Sequence, residues 1–161
     1  MRKNIILLLI LAAGLSACSG VDTVVKKRWS IPDKSYTETT LGLVDLTTKD
    51  MDLQEAGRKL TDNLQSQLMA NSLFVLGNKS PRYFLKYKVT AYHPGSRAER
   101  MATFGLMDSA KAELKVKIAL FEKEKMVGAW VTESWQKDGY FPDALFKKAA
   151  ENIVQHLGRG F

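Results

Sequence analysis

Ala112-Glu113-Leu114-Lys115-Val116-Lys117-Ile118-Ala119-Leu120-Phe121 is the stretch that decides the fold. Ala112, Leu114, Val116, Ile118 and Leu120 alternate with Glu113, Lys115 and Lys117, the period of a strand with one buried and one wet face. The charged run Glu122-Lys123-Glu124-Lys125 follows, and Met126 to Gln136 returns as a second strand, so the pair reads as a hairpin. Upstream, after Pro81, Leu85, Tyr87, Val89 and Ala91 point one way while Lys86, Lys88 and Thr90 point the other. The outer face of this sheet is expected to carry Lys86, Lys88, Lys115 and Lys117, balanced in part by Glu113.

Working outward, the period changes from two to about 3.6. Leu53, Ala56, Leu60, Leu64 and Leu68 recur at steps of three or four, with Glu55, Arg58, Lys59, Asp62 and Gln65 off the stripe. Asp50 or Asp52 is the candidate cap. Asp143 to Leu157 repeats the pattern with Leu145, Ala149, Ile153 and Leu157, after Pro142 at a position that tolerates it. Thr39 to Leu46 reads as a first strand and Phe74 to Gly77 as a brief one. A sheet with one apolar face and two amphipathic helices buries both helices on that face. The expected class is α+β: a two-layer sandwich, mainly antiparallel sheet with two amphipathic helices on one face.

The front of the chain carries an address. Arg2 and Lys3 precede an unbroken apolar run, Ile5 to Ala13, and Gly14 leads to Leu15-Ser16-Ala17-Cys18. The run is too short to span a bilayer as a helix and is arranged as a secretory signal. Its last four residues resemble the lipobox of bacterial lipoproteins. That resemblance implies cleavage before Cys18, diacylglycerol on its thiol, an acylated amine and, with Ser19 following, a lipid-anchored place at the outer membrane facing the periplasm. The other reading is an ordinary signal whose cysteine is incidental. The divisions are thus residues 1–17 as lipoprotein signal peptide, 18–38 as lipidated cysteine and tether, and 39–161 as one α+β domain. In the tether, Lys26-Lys27-Arg28-Trp29 lies either on anionic headgroups or in a solvated linker.

The formal charge is +7 over 161 residues, of which Arg2 and Lys3 supply two. A mild basic excess suits anionic lipid, polyanionic glycan or an acidic partner, or simply solubility. With Cys18 lipidated, no thiol remains for disulfides, metal binding or nucleophilic attack.

Between the first long strand and the hairpin lies a loop from Tyr92 to Ser109, longer than a turn requires. Pro94-Gly95 predicts a turn, Arg97 and Arg100 are forked donors for carboxylate or phosphate, and Met101, Phe104, Leu106 and Met107 are a heavy apolar load. Tyr92, His93, Arg97, Arg100, Met101 and Phe104 are therefore the candidate binding residues. The competing reading tucks the apolar side chains against the core edge and pairs the arginines with Glu99 or Asp108.

The stretch from Tyr83 to Leu157 is similar to a bacterial domain of unknown function, DUF4410, found in lipoproteins. Pro94-Gly95, Arg97 or Arg100, Phe104-Gly105, Lys111 to Leu120 and Ala149-Ala150 carry the resemblance. It departs at Leu106-Met107-Asp108 and at Asp138-Gly139, where the family is richer in glycine. The resemblance implies no catalytic residues, cofactor or metal.

Catalysis finds little to stand on. His93 and His156 are the only histidines, and neither has a serine elbow or zinc-ligand spacing beside it. Asp45, Asp50 and Asp52 form a loose acidic group that reads as caps rather than a carboxylate pair. The expected function is a non-catalytic binding or assembly module for another cell-envelope protein, engaged through the 92–109 loop or the basic sheet face. The alternative is a small-ligand or glycan-binding lipoprotein with Arg97, Arg100, Tyr92 and Trp130 around a pocket. A hydrolase using His93 is a third class.

Overall fold

The computed structural model describes residues 19–28, 40–48, 51–71, 74–77, 79–95, 111–136 and 142–159. Within them the strands β1 (Ser19–Lys27), β2 (Thr40–Asp45), β3 (Val75–Leu76), β4 (Tyr83–His93), β5 (Ala112–Glu122) and β6 (Lys125–Gln136) form one sheet, in the order β1-β6-β5-β4-β2-β3. Helices α1 (Met51–Asn71) and α2 (Pro142–Arg159) pack on one face of it and against each other. The α+β class with both helices on the apolar face is what the periodicities predict. The sheet is mixed: β1, β6, β5 and β4 run antiparallel in turn, while β2 lies parallel to both β4 and β3. Helix α1 provides the crossover that parallel strands need between β2 and β3.

The core follows the expected stripes. Leu60, Leu64 and Leu68 of α1 and Leu145, Ala149, Ile153 and Leu157 of α2 are buried on Leu85, Tyr87, Leu114, Val116, Leu120 and Trp130 of the sheet. Burying each large apolar side chain is worth about 1.5–3 kcal/mol. Helix α2 buries a second stripe, Phe146, Ala150 and Val154, because it packs on α1 as well as on the sheet.

Three expectations change. Nine residues of the supposed tether, Ser19–Lys27, are an edge strand paired in register from Ser19↔Gln136 to Val25↔Trp130. Thr23 holds that strand to the body by donating to Asn152 Oδ1 of α2 at 3.0 Å, where Thr132 of β6 also donates at 3.2 Å. Second, a bulge lies between Val89 and Ala91. It turns Ala91 outward and brings Tyr92 to the core side, since one extra residue reverses the alternation beyond it. Third, Asp52 lies inside the first turn of α1 rather than before it, and Asp50 is outside the described residues.

Candidate functional site

Both helices occupy one side, and among the described residues no element packs on the other side of the sheet. The register arranges its residues in rows across the strands. One row runs Val24, Val131, Lys117, Lys88, and the next runs Lys27, Ala129, Ala119, Lys86, Val44. Beyond them Phe121 faces Phe84, and the Lys86 ammonium lies 4.3 Å from the centre of the Phe121 ring. Such a contact attracts the cation to the ring face. On the other side of these rows, Lys115 meets Glu133 at 3.0 Å. All four lysines expected on this face are there. Lys88 and Lys117 stand directly opposite each other, and among the described residues neither has an acidic partner. The open face is thus a cationic band lined by valine, alanine and phenylalanine.

The pole of the sheet from which the long loop departs is a second candidate. His93 pairs with Glu113, and the chain leaves through Pro94 and Gly95, whose φ of 74° is one glycine adopts without strain. It returns at Lys111. Tyr92 packs on Phe146 with ring centres 5.2 Å apart. Burial pushes the Tyr92 phenol up, against the lowering effect of Lys59. Lys59 reaches Glu55 at 3.2 Å and Asp143 at 3.6 Å, and its own pKa is raised chiefly by the Glu55 hydrogen bond. Tyr92 therefore helps fix the start of α2. Arg97, Arg100, Met101 and Phe104 lie outside the described residues, as does Cys18.

An open depression of about 560 Å³, unforeseen in the sequence, lies between β2 and α1, lined by Asp45, Gln54, Glu55, Arg58, Thr61 and Asp62. Its polar groups are engaged locally. Asp45 accepts from the Thr47 backbone N–H and hydroxyl, Arg58 meets Asp62 at 3.4 Å, and Thr61 donates to the Gly57 carbonyl at 2.9 Å. Thr61 Oγ1 is also 2.6 Å from the Tyr87 hydroxyl, whose pKa is pushed up to about 12, mainly by burial. Asp45 thus shapes the turn after β2, as the cap reading expects.

Trp130 does not line an open pocket: it is 1% exposed and turned to the helices, its ring edge-on to His156 with centres 6.3 Å apart. Of the four residues named for a ligand or glycan pocket, Trp130 is thus turned away from solvent, while Arg97 and Arg100 lie outside the described residues. Among the described residues no group of three or more His, Cys, Asp or Glu side chains is placed to hold a metal, and no helix is long and apolar enough to cross a membrane.

Comparison with known proteins agrees with the architecture. The chain is similar in fold to two PelC dodecamer structures from Paraburkholderia phytofirmans. One, a point variant, has a TM-score of 0.58 at 11% identity over 86% of this chain and 98% of that one. The other has 0.56 at 10% identity over 87% and 97%. A PDZ domain protein from Parabacteroides distasonis gives 0.47 at 10% identity, covering 93% of this chain and 39% of that one. No curated protein matches the chain. Residues 28–136 match a family described as Domain of unknown function (DUF4410), which starts earlier than the resemblance read from Tyr83 onward and stops short of α2. That match spans β2 through β6 with α1 between them, so the chain belongs to the DUF4410 family.

Proposed function

We propose that this protein is a lipid-anchored module of the bacterial envelope, facing the periplasm from the outer membrane, that binds an acidic surface of another envelope protein without catalysing a reaction. The observation that carries the reading is the open sheet face, where Lys86, Lys88 and Lys117 stand among Phe84, Phe121, Val131 and Val24. Charge steers such encounters, and the apolar surface between the lysines supplies area to bury. The front end supports the address: Leu15-Ser16-Ala17-Cys18 has the form of a lipobox, and two or more acyl chains anchor stably. PelC from Paraburkholderia phytofirmans forms dodecamers on this fold, which makes assembly a natural use of it. Arg97, Arg100, Met101 and Phe104 are the proposed second contact, on the loop that follows Tyr92 and His93.

The test is photocrosslinking in cells, with a photoreactive residue replacing Lys117 on the sheet face or Lys147 on the exposed side of α2. The expected result is one discrete envelope-protein adduct from position 117, weakened by salt and by Lys88→Glu, and none from position 147. Equal adducts from both positions, or none from 117, refute the reading.

A further inference from the structure

The strand that replaces the expected tether has a consequence for orientation. β1 begins at Ser19, the residue directly after Cys18, so about 3.8 Å of backbone separates a lipid-bearing cysteine from a paired strand. No slack intervenes. At that end Ser19 pairs with Gln136, Gln136 with Ala112, and Glu113 with His93, so the start of β1, the end of β6, the start of β5 and the end of β4 form one pole.

The two poles differ in chemistry. At the near pole Trp135 lies over Gly20, close enough that a side chain there would run into its ring, and Lys111 holds its ammonium 5.2 Å from the Trp135 ring centre. Lys111 also meets Glu113 at 2.7 Å, so the local charge is balanced. Tryptophan and lysine are the residues that settle at the headgroup level, the ring in the boundary layer and the amine reaching to water. The far pole carries the charged turn Glu122-Lys123-Glu124-Lys125, Arg82 with its guanidinium 5.3 Å from the Tyr83 ring centre, and the end of β1, where Lys27 donates to the Met126 carbonyl. What sets it apart is that it lies the length of β1 away from Cys18. β5 has eleven residues, which sets the poles roughly 34 Å apart.

We propose that the domain stands end-on to the membrane, with the pole formed by Gly20, Trp135, Lys111 and His93 seated in the headgroup layer of the phospholipid leaflet that holds the acyl chains. The open sheet face then stands upright, free to meet a neighbour from the side. This rests on the lipidation of Cys18 in the proposed function.

The experiment uses the full lipidated mature chain in vesicles of phosphatidylethanolamine and phosphatidylglycerol. Single cysteines introduced by Gln136→Cys, His93→Cys, Glu124→Cys or Lys123→Cys take a nitroxide, because the Cys18 sulfur is blocked by its thioether. Collisions with a water-soluble nickel chelate and with membrane-soluble oxygen are measured for each. The expected result is loss of nickel collisions and gain of oxygen collisions at 136 and 93, with the reverse at 123 and 124. Equal nickel access at both poles, on protein whose intact mass shows acylated Cys18, overturns the orientation and leaves the anchor standing. A free Cys18 thiol on the native product overturns both.

Discussion

Asn152 holds the edge strand β1 to the body, and replacing it tests that role most directly. Its Oδ1 accepts from Thr23 at 3.0 Å and Thr132 at 3.2 Å, linking β1, β6 and α2 at one atom. Thr132 is fully buried, whereas Thr23 and Asn152 are half-buried. Asn152→Ala removes two hydrogen bonds, each worth about 1 kcal/mol net, and leaves the Thr132 hydroxyl without its acceptor in the core. Abandoning a buried donor costs about 1–3 kcal/mol, against almost nothing for the Thr23 hydroxyl, which water can reach. The expected loss is thus about 2–3 kcal/mol, a fall in Tm of roughly 6–10 °C for a domain of this size. Thr132→Val removes the stranded hydroxyl together with its bond and is expected to cost under about 1 kcal/mol. The double variant then costs less than the sum by about 1 kcal/mol, the coupling expected of partners in one network. Urea unfolding of the four proteins measures all three values. Amide exchange reports β1 separately, with protection falling across Val21 to Val25 in Asn152→Ala. Strictly additive losses, or a cost below about 0.5 kcal/mol for Asn152→Ala, refute the argument that this junction fixes the strand.

Other consequences are as definite. The Tyr87 phenol has its folded pKa raised to about 12, so the stability it lends is complete below pH 10 and is lost as pH climbs through 12. Tyr87→Phe, which loses the Thr61 bond, is expected to be less stable than wild type by about 1 kcal/mol at neutral pH, and the gap shrinks between pH 10 and 12; a pH-independent gap contradicts this. Lys123 sits at φ 56° in the two-residue turn between β5 and β6, a conformation that strains any side chain with a Cβ. Lys123→Gly is therefore expected to raise stability by up to about 1 kcal/mol in thermal melts, and a loss refutes the strain. On the open face, Lys117→Glu converts the Lys88–Lys117 repulsion into an attraction worth about 0.2–1 kcal/mol, so stability rises while partner crosslinking falls; a parallel fall in both points to damage instead of lost recognition.

The parts of the fold legible in the sequence are those where burial imposes a period. β4, β5 and β6 each set an apolar face on the helices, and the leucines of α1 and α2 repeat at the helical step, so these elements declare themselves. β1 does not, because an edge strand half covered by α2 need not be apolar: its inward positions are Val21, Thr23 and Val25, and Thr23 is satisfied by a hydrogen bond to a residue far along the chain. The reversal of Ala91 and Tyr92 depends on a bulge in the pairing with β5, which strict alternation in the sequence does not signal. The parallel place of β2 between β3 and β4 depends on the path of α1 across the sheet. The lysines of the open face were readable from alternation alone. Phe121 beneath Lys86 and Glu133 beside Lys115 were not, since those contacts exist only once the cross-strand register is set.

One row of the open face is not arranged for stability. Lys115 has Glu133 across from it, Arg82 has Glu122 and Lys111 has Glu113, so the sheet neutralises its cations where an acid is within reach. In the adjoining row the same sheet sets Lys88 against Lys117 and flanks them with Val131 and Val24, the latter 49% exposed. Like charges directly opposite each other weaken a strand pair, and exposed valines add nothing in water. A glutamate at either lysine relieves the first cost, and a threonine in place of Val24 the second, without disturbing the buried side of the sheet. Both costs fall away if an acidic, partly apolar surface covers the row. In the proposed end-on orientation the row lies between the membrane and the charged far turn, the side on which the proposed envelope partner would meet it.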